Sequence, residues 1–308
     1  MRMVKRVSAL AAALCLFLSW SALSDPAGEV RKLPIDLSGG APYDNSGFTM
    51  DVMVYEDPSI RVERARTMNE EMKIDYYSAD VVIQDASQLR TAPADPNTFI
   101  SERRVYGTTM AGRVNAVVAV NGDYCGDFHG HEANKYVLRQ GTVYRDTVDT
   151  SLDMLLIDED GDFHILPAGP ELADADKTQV NGKQVINALQ FGPGLIIDGV
   201  PAPDEILLDR GHSPQFAEPD GTTERLCLAQ LGPLHYLIIA TRNYVNIAQM
   251  RDLVLSIAPD CQNAYILDGG GSLQFIFMGK KINRAGSDQN IRKLSDIVYF
   301  ASAWFPAE

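Results

Sequence analysis

Apolar, β-branched and aromatic residues recur with partial alternation over 50–55, 60–64, 72–77 and 80–84, a pattern that predicts half-buried strands rather than helices. Segment 115–120 is almost wholly apolar, as expected of a strand covered on both faces. Two further pairs of short runs flank turn dipeptides: 136–138 and 142–144 surround Gln140-Gly141, and 195–197 runs into Asp198-Gly199. Both read as hairpins. Helical spacing is rare. Asn246 is a good N-cap, Ile247, Met250, Leu253, Val254 and Ile257 fall on one helical face, and Pro259 stops the run. A second, weaker helix is expected over 108–113. The fold class expected is therefore α/β (α+β): a sheet-rich, mixed β-sheet domain with few helices and active-site loops at strand ends.

The first residues are a different matter. Arg2, Lys5 and Arg6 precede the apolar run 9–18, and Ala22 and Ser24 supply small residues two apart. That is the make-up of a secretory signal peptide over 1–24, and its apolar run is too short to span a bilayer stably. Segment 25–47, rich in Pro, Gly, Asp and Ser, reads as an extended lead-in, and 48–308 as a single domain. The mature protein is expected to be secreted or periplasmic, in the cell envelope, with no membrane attachment once the signal is cut.

Charge narrows the partners. The chain carries 41 acidic and 27 basic side chains, a net charge of -14, which becomes about -17 if the signal is removed. So acidic a protein repels nucleic acid at long range. An anionic substrate would have to be held by local Arg or Lys groups, since salt limits fields to about 8 Å. Cys125, Cys227 and Cys261 follow the cut. An oxidising compartment permits one disulfide among them, and their spacing offers no zinc motif.

Two strand ends carry the candidate chemistry. In YILDGGGS, 265–272, an apolar strand runs into Asp268 and then Gly269, Gly270 and Gly271. Successive glycines admit positive φ and close approach of another molecule, and their N–H groups could form an anion-holding nest. The segment continues into another strand, so it is neither a Walker A nor a dinucleotide-binding loop. In the second, 116–124, a buried strand ends at Asn121-Gly122 and leads into a polar loop with Asp123, Asp127, His129, His131 and Glu132. Asp268 and Asp123 make a candidate acid/base pair. The chemistry requires no cofactor, although the loop of Asp127, His129 and His131 could hold a divalent metal. Arg242, Arg225 and Arg292 lie near strand ends and could be phosphate ligands or surface ion pairs.

Taken in order, VNGDYCG (120–126), YVLRQGTVYRD (136–146), FGPGLIIDG (191–199), LGPLHYLIIATR (231–242), YILDGGGS (265–272) and IRKLSDIVYF (291–300) resemble the phosphodiester glycosidase family. With YYSADVVIQDASQLRTA (76–92), the resemblance spans about 72–302. It implies an exported hydrolase that cleaves a sugar-1-phosphodiester, the glycosyl C1–O–P linkage, possible substrates lying in an envelope or extracellular polysaccharide. The family's N-G-[DG]-[YF] falls on Asn121, Gly122, Asp123 and Tyr124, its post-strand Arg on Arg242, its D-G-G-G-S on 268–272 and its late Arg on Arg292.

The roles implied are Asp268 and Asp123 for catalysis, and Arg242, Arg292 and the N–H groups of Gly269, Gly270 and Gly271 for the phosphate. Asn121, Gly122 and Ser272 would form the substrate loop and meet sugar hydroxyls. The chain departs from the family with Ala240-Thr241-Arg242 in place of D-G-R and Ile266-Leu267 in place of N-L. Two other functions remain open: a non-catalytic protein that binds an anionic glycan during exopolysaccharide assembly or export, and a metal-dependent phosphodiesterase.

Overall fold

A computed structural model describes residues 28–43, 48–49, 53–125, 135–208, 222–283 and 291–307. The expected signal segment 1–24 and the loop holding Asp127, His129, His131 and Glu132 lie outside the described residues.

The expected sheet-rich fold with few helices is the one observed. Every named strand pair is antiparallel, and the strands form four sheets. The largest has nine strands, in the order Val200–Pro201, Gly194–Ile197, Asn263–Leu267, Leu226–Gly232, His235–Thr241, Ile74–Ile83, Ile60–Asn69, Val54–Asp57 and Phe48–Thr49. A five-stranded sheet runs Lys280–Lys281, Phe275–Phe277, Ala116–Asn121, Asp296–Ala301 and Leu89–Pro93. A third sheet is built on Phe163–Leu166, Met154–Asp158, Lys183–Gln190, Val137–Arg139 and Thr142–Arg145. One hydrophobic core serves all three: Val118, Val120, Phe275 and Phe300 pack with Leu155, Ile157 and Leu189 and with Leu226, Ile238 and Ile266. Burying each such side chain contributes about 1.5–3 kcal/mol.

Local chemistry explains the elements that were expected. The helix Ile247–Ile257 opens with a capping box: Asn246 accepts the Gln249 N–H at 2.8 Å and gives its own N–H to the Gln249 side chain at 2.9 Å. The turns at Gln140-Gly141 and Asp198-Gly199 each have two positive φ values, matching the twist of the strands they join. The weaker helix is also present, as Gly107–Arg113. The segments expected as separate strands at 72–77 and 80–84 are one strand, Ile74–Ile83. Pairing on both edges, with Ile60–Asn69 and His235–Thr241, carries the ladder through Ser78 and Ala79.

The described part of the lead-in is bound to the rest of the chain. Gly28–Val30 pairs with Trp304–Pro306, Leu33 and Ala41 are buried, and the buried Arg90 donates to the Asp36 and Ser38 carbonyls at 3.0 Å each. Cys125, Cys227 and Cys261 are all buried and free, so the disulfide that the composition permitted is not formed. Among the described residues no helix is long and apolar enough to cross a membrane.

Candidate active site

The two strand ends singled out in the sequence meet, although 147 residues separate them. Asn121 ends the central strand of the five-stranded sheet and Leu267, just before Asp268, ends a strand of the nine-stranded one. The Asn121 side chain joins them: its Nδ2 donates to the Asp268 carbonyl at 2.7 Å, and its Oδ1 accepts the Gln274 N–H at 3.1 Å. Both ends of the amide are thus engaged by main chain, which corrects the expectation that Asn121 meets sugar hydroxyls. It is a clamp between sheets.

Asp268 is 5% exposed, and burial raises its carboxyl above the ordinary value. The Ser272 hydroxyl, the charges of Lys135 and Arg292, and the Gly269 N–H oppose that rise without cancelling it. A carboxyl with these surroundings can hold or accept a proton closer to neutrality than a solvated one. Lys135 is buried, donates to the Asp123 carbonyl at 2.7 Å and lies 5.2 Å from the Phe191 ring centroid. Arg292 is exposed, and its N–H donates to the Gly271 carbonyl at 2.9 Å.

The glycine loop is built differently from the expected nest. The Gly270 N–H donates to the Glu224 carbonyl at 2.9 Å, and the Gly269 N–H serves Asp268 itself. The Gly270 N–H is therefore engaged within the loop rather than turned to a ligand. Gly269 is required by close approach: a Cβ there would stand 2.3 Å from the Glu224 carbonyl oxygen. Gly122 has the same cause. Its φ is not positive, and a Cβ would stand 2.1 Å from the Asp296 carboxylate, so Asn121-Gly122 is a contact point rather than a hairpin turn. Ser272 is fully buried.

The described partners of the Asp123 carboxylate are residues other than Asp268. Asp123 is fully buried, with one oxygen 2.6 Å from Arg139 Nη2 and the other accepting the Gln190 N–H at 2.7 Å. Arg139 Nη2 also lies 3.5 Å from Asp296. Burial disfavours charge on Arg139, but Asp123, Cys125 and Asp296 together outweigh it and hold the guanidinium above its ordinary value. Asp296 is raised by burial and by the neighbouring Asp123. Asp123, Cys125 and Asp296 bring possible ligand atoms within 4.8 Å of one another. The donor set fits a metal poorly, because Arg139 already supplies the positive charge and burial raises the Cys125 thiol well above its usual range.

Arg242 is also engaged elsewhere. It pairs with Asp75 and lies 5.8 Å from the Tyr77 ring centroid, and no described hydrogen bond or ion pair links it to Asp268. Arg225 is buried, its Nε donates to the Val245 carbonyl at 3.1 Å, and burial lowers it to about 10. The sequence reading passed over Lys135, Arg139, Glu224 and Asp296. Charged residues bordering the apolar runs 226–229 and 297–301 were the available signal for Glu224 and Asp296.

A desolvated carboxyl under the influence of two cations, at the junction of two antiparallel sheets, defines a hydrolase-like site. The chain belongs to the phosphodiester glycosidase family, whose sequence profile matches residues 114–301. It is accordingly a hydrolase acting on phosphodiester sugar linkages. The fold is shared with the zebrafish N-acetylglucosamine-1-phosphodiester alpha-N-acetylglucosaminidase catalytic domain, in a structure auto-inhibited by its pro-peptide. That match has a TM-score of 0.63 at 14% identity and covers 80% of this chain and 85% of the zebrafish one. A hypothetical protein from Synechocystis matches at a TM-score of 0.48 and 13% identity, over 78% of this chain and 62% of its own. No curated protein matches.

Proposed function

We propose that the protein is exported and cleaves a glycosyl C1–O–P linkage in an envelope or extracellular glycan, with Asp268 as the reacting carboxylate. The observation that carries this reading is the Asp268 carboxyl itself, buried at a strand end and raised by that burial, with the charges of Lys135 and Arg292 opposing the rise. A phosphate monoester leaves more readily than an alkoxide, so the departing oxygen needs little help from an acid. A carboxylate near the anomeric carbon activates water or stabilises oxocarbenium character. Water adds its oxygen to C1, the C1–O bond breaks with its electrons passing to the phosphate, and the water proton passes to Asp268. Arg292 and Lys135 offset the charge on the phosphate. The products are a free reducing sugar and a phosphate monoester. The exported address is supported by the composition of segment 1–24.

The test is hydrolysis of a panel of sugar-1-phosphodiesters by the mature protein and by Asp268→Asn, followed as reducing sugar in ¹⁸O-labelled water. The variant is expected to lose on the order of 10²-fold or more in rate, and the label should enter the sugar. Near-normal turnover by the variant, or label in the phosphate, would overturn the assignment.

A further inference from the structure

The rim beside Asp268 is built from two short polar segments, 102–106 and 292–294. Val105 and Leu294 exchange both main-chain hydrogen bonds, at 3.1 and 2.7 Å. Gln274 ties them to the site: its side chain accepts the Gly107 N–H at 2.9 Å and donates to the Arg292 carbonyl at 2.7 Å, while its N–H reaches Asn121. With Arg292 bonded to Gly271 as well, both segments are placed by main chain and a buried amide rather than by the reach of long side chains.

Four exposed cations stand on this frame, Arg103, Arg104, Arg292 and Lys293, against one exposed carboxylate, Glu102. Arg104 lies 5.3 Å from the Tyr124 ring centroid and Lys293 lies 5.8 Å from that of Tyr106, which is 47% exposed. Such contacts hold a cation in place. Burial lowers Arg113, the nearby Arg103 charge adds to that, and Tyr299 and Asp95 oppose it. In a chain with 41 acidic residues against 27 basic ones, an edge of this sign stands apart.

We infer that this rim binds the group beyond the scissile phosphate, and that this group is itself anionic: a glycan whose sugars are joined by repeated phosphodiesters. The inference deepens the glycosidase reading and rests on it. Arg103 and Lys293 meet the phosphates that follow the scissile one. Because the whole protein repels polyanions, attraction is confined to this edge and must weaken steeply with salt.

The probes are the methyl diester of a glycosyl 1-phosphate and phosphodiester-linked oligomers carrying two and four phosphates. Turnover is measured at about 50 and about 300 mM salt, for the intact protein and the Arg103→Gln/Lys293→Gln variant, whose melting temperature checks the fold. The intact protein should favour the tetraphosphate over the methyl diester by about tenfold in kcat/KM, chiefly through KM, the contribution of a few exposed ion pairs together. High salt and the double variant should each abolish the preference. Equal kcat/KM at every length, or a preference that survives the double substitution, overturns the inference and leaves the glycosidase reading standing.

Failure to hydrolyse any probe sinks the glycosidase reading, and calorimetric binding of the tetraphosphate then decides the rim alone. Salt-dependent binding lost in the double variant supports the rim, and no binding overturns it. Equal binding of a single-stranded oligonucleotide of matched charge also overturns the commitment to a glycan.

Discussion

Replacing Arg139 with Met tests the electrostatic account of the loop that carries Asp123. The guanidinium is fully buried, 2.6 Å from Asp123 and 3.5 Å from Asp296, and Met keeps most of its apolar stem. Without it, two buried carboxylates face each other with no cation between them. Removing one partner of a buried ion pair costs about 3–5 kcal/mol. For a domain of this size that corresponds to a fall of about 5–9 °C in melting temperature.

The pH dependence has a definite sign. In the variant a carboxyl will be protonated in the folded state and ionised in the unfolded one, so its folded pKa is raised. Stability is then retained below the unfolded value and lost as pH rises through the folded one. Lowering the pH from 7 to 5 should narrow the deficit by as much as about 2–3 kcal/mol for one proton. Urea unfolding of both proteins at the two pH values measures this directly. Adding Asp123→Asn and Asp296→Asn to the variant should recover much of the loss, because neither carboxylate of that pair is then left charged. A deficit below about 1 kcal/mol, or one independent of pH, would refute the reasoning.

Asp268→Asn should separate activity from stability. The Asp268 carboxyl is raised by burial, so in the intact protein its stabilising contribution is complete at low pH and lost as pH rises through its folded pKa. The amide does not titrate, so relative to the intact protein the variant should gain stability from about pH 4 towards neutrality while losing turnover. Calorimetric melting at both ends of that range checks it. Gly269→Ala places a Cβ 2.3 Å from the Glu224 carbonyl oxygen, so main chain must move. A loss of about 1–3 kcal/mol, with a drop in kcat from the displaced Asp268, is expected in urea unfolding and in the reducing-sugar assay.

The described lead-in is fastened away from Asp268. Gly40 donates to the Val114 carbonyl, two residues before the strand Ala116–Asn121 begins, and Ala41 donates to that of Ser302. Those bonds lie at the opposite end of that strand from Asn121. In these residues the lead-in closes the fold.

Local sequence was enough for the helix capped by Asn246, the two Gly-containing hairpin turns and the apolar strands that stop at Asn121 and before Asp268. Each depends on neighbours a few residues away, through capping, turn conformation or the alternation of buried positions. Asp268 was legible as a carboxylate at a strand end, but its raised pKa was not, because desolvation depends on which sheets cover it. The partners of Asp123 were out of reach of the sequence for a related reason. Its partner Arg139 lies on another strand, and Arg139 in turn meets Asp296, 157 residues further along. Asn121 and Gly122 carried the right signal with the wrong cause, since a clamp to Asp268 and contact with Asp296 exist only after the sheets meet. Sequence therefore determined where the strands end and which groups stand there. Tertiary structure decided which of those groups are paired, which are desolvated and which face solvent, because charge pairing and burial are set by distances across sheets.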